Sequence, residues 1–103
     1  MFITVDIVRE ALKEVIDPEI KFSIIDLGIV YGISIENAGK KVIVRMTLTS
    51  PTCPYGSVLI SQVEQTLKML PGVTDVEVKL VWQPQWNPKT MASDDVKDKM
   101  EIW

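Results

Sequence analysis

The sequence predicts a small α+β domain, a two-layer sandwich of helices packed on a sheet of three or four strands. Residues 30–36, 41–48 and 73–81 alternate between apolar and polar side chains, as half-buried strands do. The segments around them carry apolar residues at helical spacing, which gives the order α-β-β-α-β-α. The strand order stays open, because a helical crossover can place the last strand beside either strand of the hairpin. We expect residues 1–103 to form a single domain.

The first half of the chain carries clear start and stop signals. Thr4 is a suitable N-cap for the first helix, which we expect to end at Asp17, just before Pro18. Residues 37–40 read as a hairpin loop in which Gly39 suits a positive φ.

In the second half of the chain, proline, glycine and serine mark the ends and starts of the predicted elements. The central helix should stop at Pro71 and Gly72, and residues 82–88 should run extended because neither a helix nor an interior strand tolerates prolines so close together. Ser93 is expected to cap a last short helix.

Composition and charge exclude several function classes. The chain is 47% hydrophobic and 24% charged, with a net charge of -3, so it lacks the basic footprint of a protein that binds nucleic acid or an anionic membrane. Its one cysteine cannot form an intramolecular disulfide, and no signal peptide or membrane span is visible, so we expect a cytoplasmic location. Histidine is absent, which excludes serine-histidine and cysteine-histidine catalysis within one chain.

Cys53 is the residue around which the candidate site is predicted. It lies between Pro51 and Pro54, and a proline is favoured at the first position of a helix, so Cys53 is expected to be the N-cap of the central helix. The free N–H groups there favour a thiolate over a thiol. The alternative is an inert cysteine that acts as a small buried hydrophobic residue.

Asp17 and Glu19 form an acidic turn with Pro18, and this turn can reach the same end of the sheet as the cysteine loop. Two carboxylates beside a sulfur favour a cation between them, and one thiolate with one or two carboxylates would hold a metal weakly. Such open ligation suits transfer better than storage. The alternative is that Asp17 caps a turn and Glu19 is solvated.

Hydroxyl and aromatic side chains complete the candidate site. Thr49 and Ser50 can donate hydrogen bonds to a thiolate or sulfide, or can simply close a turn. Tyr31, Trp82 and Trp86 can line a groove for a partner, although the two tryptophans are more often found as a lid over the core.

Four segments in order resemble the metal-sulfur cluster biosynthesis family, the SufT- and PaaD-like proteins. They are Asp-Pro-Glu-Ile at 17–20, Asp-Leu-Gly-Ile-Val-Tyr at 26–31, the Thr-Ser-Pro-Thr-Cys-Pro loop at 49–54, and the tryptophan and proline segment at 82–91. Gly32 stands where that family commonly has aspartate, and Gln83 departs from its Trp-Asp-Pro-Pro-Trp pattern. The chain is similar to the minimal, stand-alone form of the family.

The resemblance implies an iron-sulfur cluster assembly domain with a topology like that of the NifU C-terminal domain. Carried over position by position, the family's candidate functional residues fall on Asp17, Glu19, Thr49, Ser50 and Cys53. It implies a role in maturing iron-sulfur proteins, with an iron-sulfur cluster or iron bound transiently.

The leading hypothesis is therefore an assembly or carrier factor rather than an enzyme, with iron-sulfur client proteins and assembly machinery as partners. One thiol cannot supply the four ligands that a cluster normally needs, so a homodimer, a client or a small thiol must supply the rest. Two alternatives stay open. One is a thiol enzyme or redox sensor that uses Cys53, and the other is a structural adaptor that docks through residues 82–88.

Overall fold

The computed structural model describes residues 3–18, 20–49 and 55–101. The helices and strands within them confirm the α+β class and the predicted order of the main elements, and add two short helices, α2 and α4. Their order is α1 (Val5–Leu12), α2 (Ile24–Leu27), β1 (Val30–Glu36), β2 (Lys41–Met46), α3 (Gly56–Lys68), β3 (Asp75–Leu80), α4 (Pro88–Met91) and α5 (Asp94–Met100).

The sheet has the strand order β1-β2-β3, which decides the point that the sequence left open. β2 is the central strand, antiparallel to β1 and parallel to β3. In this register Val44 lies opposite Ile33 on β1 and opposite Val78 on β3. The sequence predicted β1 with its observed bounds, whereas β2 and β3 are each shorter than the alternating segments that predicted them.

Helices α1 and α3 form the second layer. α1 contacts α3 and β1, and α3 contacts β3. Alternate residues of β2 are buried and its intervening residues are not, so one face of the strand lies against the helices. Complete burial of each large apolar side chain stabilises the fold by roughly 1.5–3 kcal/mol. The fully buried side chains of this interface are Val8, Leu12, Val42, Val44, Met46, Leu59, Val63 and Leu67.

The first helix begins as predicted and ends five residues early. The Thr4 hydroxyl accepts a hydrogen bond from the N–H of Ile7 at 3.2 Å, as an N-cap should. The last helical residue is Leu12 and not Asp17, so the predicted end was wrong.

Hydrogen bonds to the following segment explain the early end. The Ile24 N–H donates to the Val15 carbonyl at 3.0 Å, and the Asp17 N–H donates to the Phe22 carbonyl at 2.9 Å. Val15 is buried in the core, although it lies in the turn after α1 and not in the helix. The helical spacing of apolar residues therefore extends beyond the last helical residue.

The start of α3 also differs from the prediction. The helix begins at Gly56 with Tyr55 as its N-cap, and the Tyr55 side chain makes no capping hydrogen bond. The prediction that Cys53 caps this helix, with Pro54 at its first position, was wrong. A Cβ added to Gly56 would lie 2.7 Å from Cδ1 of Leu48, so the helix starts where a residue without a side chain lets it approach the chain beyond β2.

The hairpin loop and the last helix agree with the sequence. A 3₁₀ turn at Asn37–Gly39 joins β1 to β2, and Gly39 has a φ of 88°. The Ser93 hydroxyl accepts a hydrogen bond from the Val96 N–H at 3.5 Å and caps α5. Within the part of the chain that the structure describes, no helix combines the length and apolar character needed to cross a membrane.

Gly28 and Gly72 provide a matched test of the contact between α2 and α4. Both have positive φ, but an added Cβ at Gly28 would collide with the Met91 carbonyl oxygen, whereas at Gly72 it would meet nothing within 4 Å. We expect Gly72→Ala to lower the free energy of unfolding by about 1 kcal/mol, which is the cost of holding an alanine in the left-handed backbone region. Gly28→Ala should cost about 3 kcal/mol because α4 must also move. Urea denaturation measures both values, and equal losses would contradict the contact.

Candidate functional site

The candidate site lies at one end of the sheet, where β2 and β3 finish and β1 starts. Met46, the last residue of β2, is opposite the first residue of β1 and the last residue of β3. The Val81 N–H donates to the Met46 carbonyl at 2.9 Å and so continues the parallel pairing by one residue. Residues 47–49 and 81–86 therefore leave the sheet side by side, and we call this region the loop end of the sheet.

A cavity of about 290 Å³, here called the tryptophan cavity, opens at the loop end. Its walls combine hydroxyl, amide and indole groups. The lining residues are Thr47, Leu48, Thr49, Trp82, Gln83, Gln85 and Trp86. The structure thus brings together three of the residues that the sequence singled out, Thr49, Trp82 and Trp86.

The two tryptophans of this cavity have different surroundings. The Trp86 indole Nε1–H donates to the Leu27 carbonyl at 2.7 Å, and its ring packs against the core. Trp82 is 41% exposed. Trp86 therefore anchors residues 81–86 to the core, while Trp82 presents an indole surface to solvent at the mouth of the cavity.

Tyr31 lies outside the tryptophan cavity and contacts the same segment from the sheet. It is the extra residue where the pairing of β1 and β2 shifts register, between Val30 and Gly32. Its hydroxyl donates to the Pro84 carbonyl at 2.8 Å and lies 3.6 Å from Sδ of Met91. Tyr31 lines a second, larger cavity of about 580 Å³.

The environment of Tyr31 favours its neutral form. Burial raises the pKa of the Tyr31 phenol, and a side-chain hydrogen bond with Thr47 opposes that rise. The phenol therefore stays protonated at physiological pH and keeps its hydrogen bond to the segment.

Asp17 is placed in a buried turn. Its side chain is 1% exposed, and Oδ1 accepts a hydrogen bond from the Ile20 N–H at 3.2 Å. The Asp17 carbonyl accepts from the Lys21 N–H at 2.7 Å. This geometry agrees with the alternative in which Asp17 closes a turn.

Glu19, Ser50 and Cys53 lie outside the described residues, so the predicted grouping of Cys53 with Asp17 and Glu19 stays a prediction. Among residues 3–18, 20–49 and 55–101, no cluster of three or more histidine, cysteine, aspartate and glutamate side chains is arranged to hold a metal ion. The structure does describe both ends of the cysteine loop, at Thr49 and Tyr55.

The sequence did not single out the amide side chains of Gln83 and Gln85, which line the tryptophan cavity. It also did not single out Arg9 and Arg45, which line the larger cavity. The glutamines carried a signal, because they lie between two tryptophans already proposed as a groove. The arginines carried none, because only the folded sheet brings α1 and β2 to one cavity.

The chain belongs to the iron-sulfur cluster assembly protein family, whose model matches residues 6–80. Those residues run from α1 through β3. The tryptophan segment, residues 82–91, follows the matched region.

Individual relatives match over most of their length. The chain is 40% identical over 82 residues to the Fe-S protein maturation auxiliary factor YitW of Bacillus subtilis, covering 80% of this chain and 79% of that one. It is 42% identical over 78 residues to the Fe-S protein maturation auxiliary factor SufT of Staphylococcus aureus, covering 76% and 88%. A solved structure of a conserved hypothetical protein from Thermotoga maritima superimposes with a TM-score of 0.86 at 37% identity, covering 98% of this chain and 97% of that one.

The unequal surroundings of the tryptophans predict unequal stability effects. Trp86→Phe removes the donor to the Leu27 carbonyl and part of a packed ring, so we expect the free energy of unfolding to fall by about 2 kcal/mol. Trp82→Phe, the matched control at a 41% exposed position, should change it by less than about 0.5 kcal/mol. Thermal unfolding of both variants checks this, and a larger loss for Trp82→Phe would reverse the assignment.

The raised pKa of Tyr31 predicts a stability difference at alkaline pH. The folded state favours the neutral phenol of Tyr31 over the tyrosinate. The contribution of the neutral phenol to the free energy of unfolding is therefore fully present below the ordinary pKa of about 10 and is lost as pH rises through the raised pKa. Tyr31→Phe should be less stable than the wild type near neutral pH, by about 1 kcal/mol for the lost hydrogen bond. This difference should shrink as pH rises above about 10. Urea denaturation across that range measures it, and a difference that grows with pH would contradict the assignment.

Proposed function

We propose that this protein is an iron-sulfur cluster assembly or carrier factor that helps to mature iron-sulfur proteins. The observation that carries the proposal is the family match across residues 6–80, together with relatives named Fe-S protein maturation auxiliary factors that align over most of both chains. Iron-sulfur client proteins and the machinery that assembles clusters are the proposed partners, and the cytoplasm is the proposed location.

Cys53 is the residue proposed to hold the cluster or iron in transit. Iron-sulfur clusters are bound through cysteine thiolates, and Cys53 is the only cysteine in a chain that has no histidine. One thiol leaves most cluster ligands to be supplied by a second copy of the chain, the client or a small thiol. The cluster is therefore cargo, and incomplete ligation favours its release to a client with more thiolates.

The residues near the loop have supporting roles in this proposal. Asp17 closes its turn from a buried position, and we propose that it fixes the backbone that presents the next carboxylate, Glu19, to iron. Thr49 and Ser50 precede the thiol in sequence, and their hydroxyls are proposed to donate to thiolate or sulfide. Hard carboxylate oxygen suits an iron ion before it enters a cluster.

The tryptophan cavity is proposed as the place where a client contacts the carrier. It begins at Thr49, four residues before Cys53, and its mouth carries the exposed indole of Trp82. Trp86 and Tyr31 hold the cavity wall through hydrogen bonds to the Leu27 and Pro84 carbonyls. Exposed aromatic surface beside amide groups is typical of protein interfaces.

A thiol enzyme or redox sensor is not favoured. That alternative relied on Cys53 as the N-cap of α3, where the helix dipole would lower the pKa of the thiol. Tyr55 occupies the N-cap position instead. Histidine is absent from the whole sequence, so the usual base for thiol activation is not available.

Cys53→Ser and Cys53→Ala together test the proposed function. Because Cys53 is not the helix cap, we expect both variants to keep the wild-type melting temperature within about 3 °C. Both should lose at least about tenfold in the rate of cluster transfer to an apo acceptor under anaerobic conditions, since neither serine nor alanine is a thiolate ligand.

The two variants also separate the remaining explanations. Full transfer by a stably folded Cys53→Ser protein would show that the thiol is dispensable and would favour a structural adaptor. Absence of transfer by the wild type, with no rescue of iron-sulfur enzyme activity in cells that lack the protein, would contradict the carrier role itself.

A further inference from the structure

The second cavity, which we call the arginine cavity, has a volume of about 580 Å³ and both arginines of the chain in its wall. It opens between α1, the start of β1 and the segment that follows β3. The lining residues are Arg9, Ile25, Gly28, Val30, Tyr31, Arg45, Val81, Gln83, Pro84 and Met91. A volume of this size matches sites for small organic molecules.

Arg45 reaches this cavity by crossing β1. It lies on β2 opposite Gly32, and a Cβ added to Gly32 would be 2.6 Å from its Nη2 atom. Gly32 is not among the glycines with positive φ, so the backbone does not require glycine there. What the position provides is the absence of a side chain, which lets the Arg45 guanidinium lie over β1 and line the same cavity as Arg9 on α1.

The two guanidinium groups have no anionic partner within the described part of the chain. None of the residues that line the cavity is a carboxylate. Among residues 3–18, 20–49 and 55–101, four lysines form ion pairs with aspartate or glutamate within 4.0 Å and neither arginine does, although arginine is the better carboxylate ligand. In a chain of net charge -3, two unpaired arginines at one cavity form a local cationic site.

We propose that the arginine cavity binds a small organic anion. Arg9 and Arg45 hold its carboxylate or phosphate group, and the aliphatic side chains of Ile25, Val30 and Met91 contact its apolar part. Arginine suits both head groups because its planar donors match two oxygens at once. The inference does not rest on the proposed cluster transfer, since it uses neither Cys53 nor iron.

Titration of the full chain, labelled with ¹⁵N, tests the site with two probes, succinate and inorganic phosphate. The chain has only two arginines, so their Nε–H groups give two cross-peaks that report directly on the cavity. We expect both peaks to shift saturably, with a Kd in the range of about 1 mM or below, against a sodium chloride titration of equal ionic strength.

Matched charge variants show whether the cavity or the overall charge is responsible. Arg45→Gln and Arg9→Gln should each weaken binding at least about tenfold. Lys79→Gln removes the same charge from the residue opposite Arg45 on β3, which does not line the cavity, and should change the Kd by less than about twofold. Gly32→Ala should also weaken binding, because it displaces the Arg45 guanidinium.

Each outcome decides the proposal. Tighter binding of succinate supports the site and assigns a carboxylate ligand, and tighter binding of inorganic phosphate supports the site and assigns a ligand with a phosphate group. Absence of a saturable shift with both probes overturns it, as does an equal loss of affinity in Lys79→Gln. If Arg45→Gln does not fold, Arg9→Gln, at an exposed position on α1, decides between these results. Binding is measured without cluster or client, so failure of the carrier role leaves this test unaffected.

Discussion

The parallel pairing of β2 with β3 is the constraint on which the remaining architecture depends. Two parallel neighbours cannot be joined by a tight turn, so the chain needs a crossover, and the thirteen residues of α3 provide it. The same pairing makes both strands finish at one end of the sheet, where Val81 still donates to the Met46 carbonyl. The cysteine loop and the tryptophan segment consequently leave from adjacent strands, although about thirty residues separate them in sequence. Proximity in the candidate site is thus a result of strand direction.

The described part of the candidate site is held to the core by contacts on both sides of the loop end. Gly56 lies against Leu48, and the Trp86 indole is hydrogen-bonded to Leu27, so both flanks of the loop end are fixed to the core. In the sequence, Cys53 lies between Leu48 and Gly56. In the proposed carrier role cargo must be held and also released, and incomplete ligation by this one thiol would satisfy both needs.

The sequence predicted the features that are local. Alternation located the three strands, and hydroxyl caps located the starts of α1 and α5, because these signals act over a few residues. The sequence did not predict features that depend on contacts between residues far apart in the chain. α1 ends at Leu12 because the Val15 carbonyl accepts a hydrogen bond from the Ile24 N–H, and α3 starts at Gly56, where Leu48 leaves no room for a side chain. The arginine cavity could not be predicted, because its position depends on the register of β1 against β2, and the periodicity of the sequence does not determine that register.

β3 has a second consequence, for self-association. It is an edge strand of the sheet in the described part of the chain, and an exposed edge invites pairing with another molecule. Three of its six residues are charged, and Lys41 on β2 lies within 4.0 Å of the carboxylates of Asp75 and Glu77. A second strand added there would meet this charged row and the Lys79 ammonium beside it. The edge is thereby protected against fibre-like stacking with further copies of the chain.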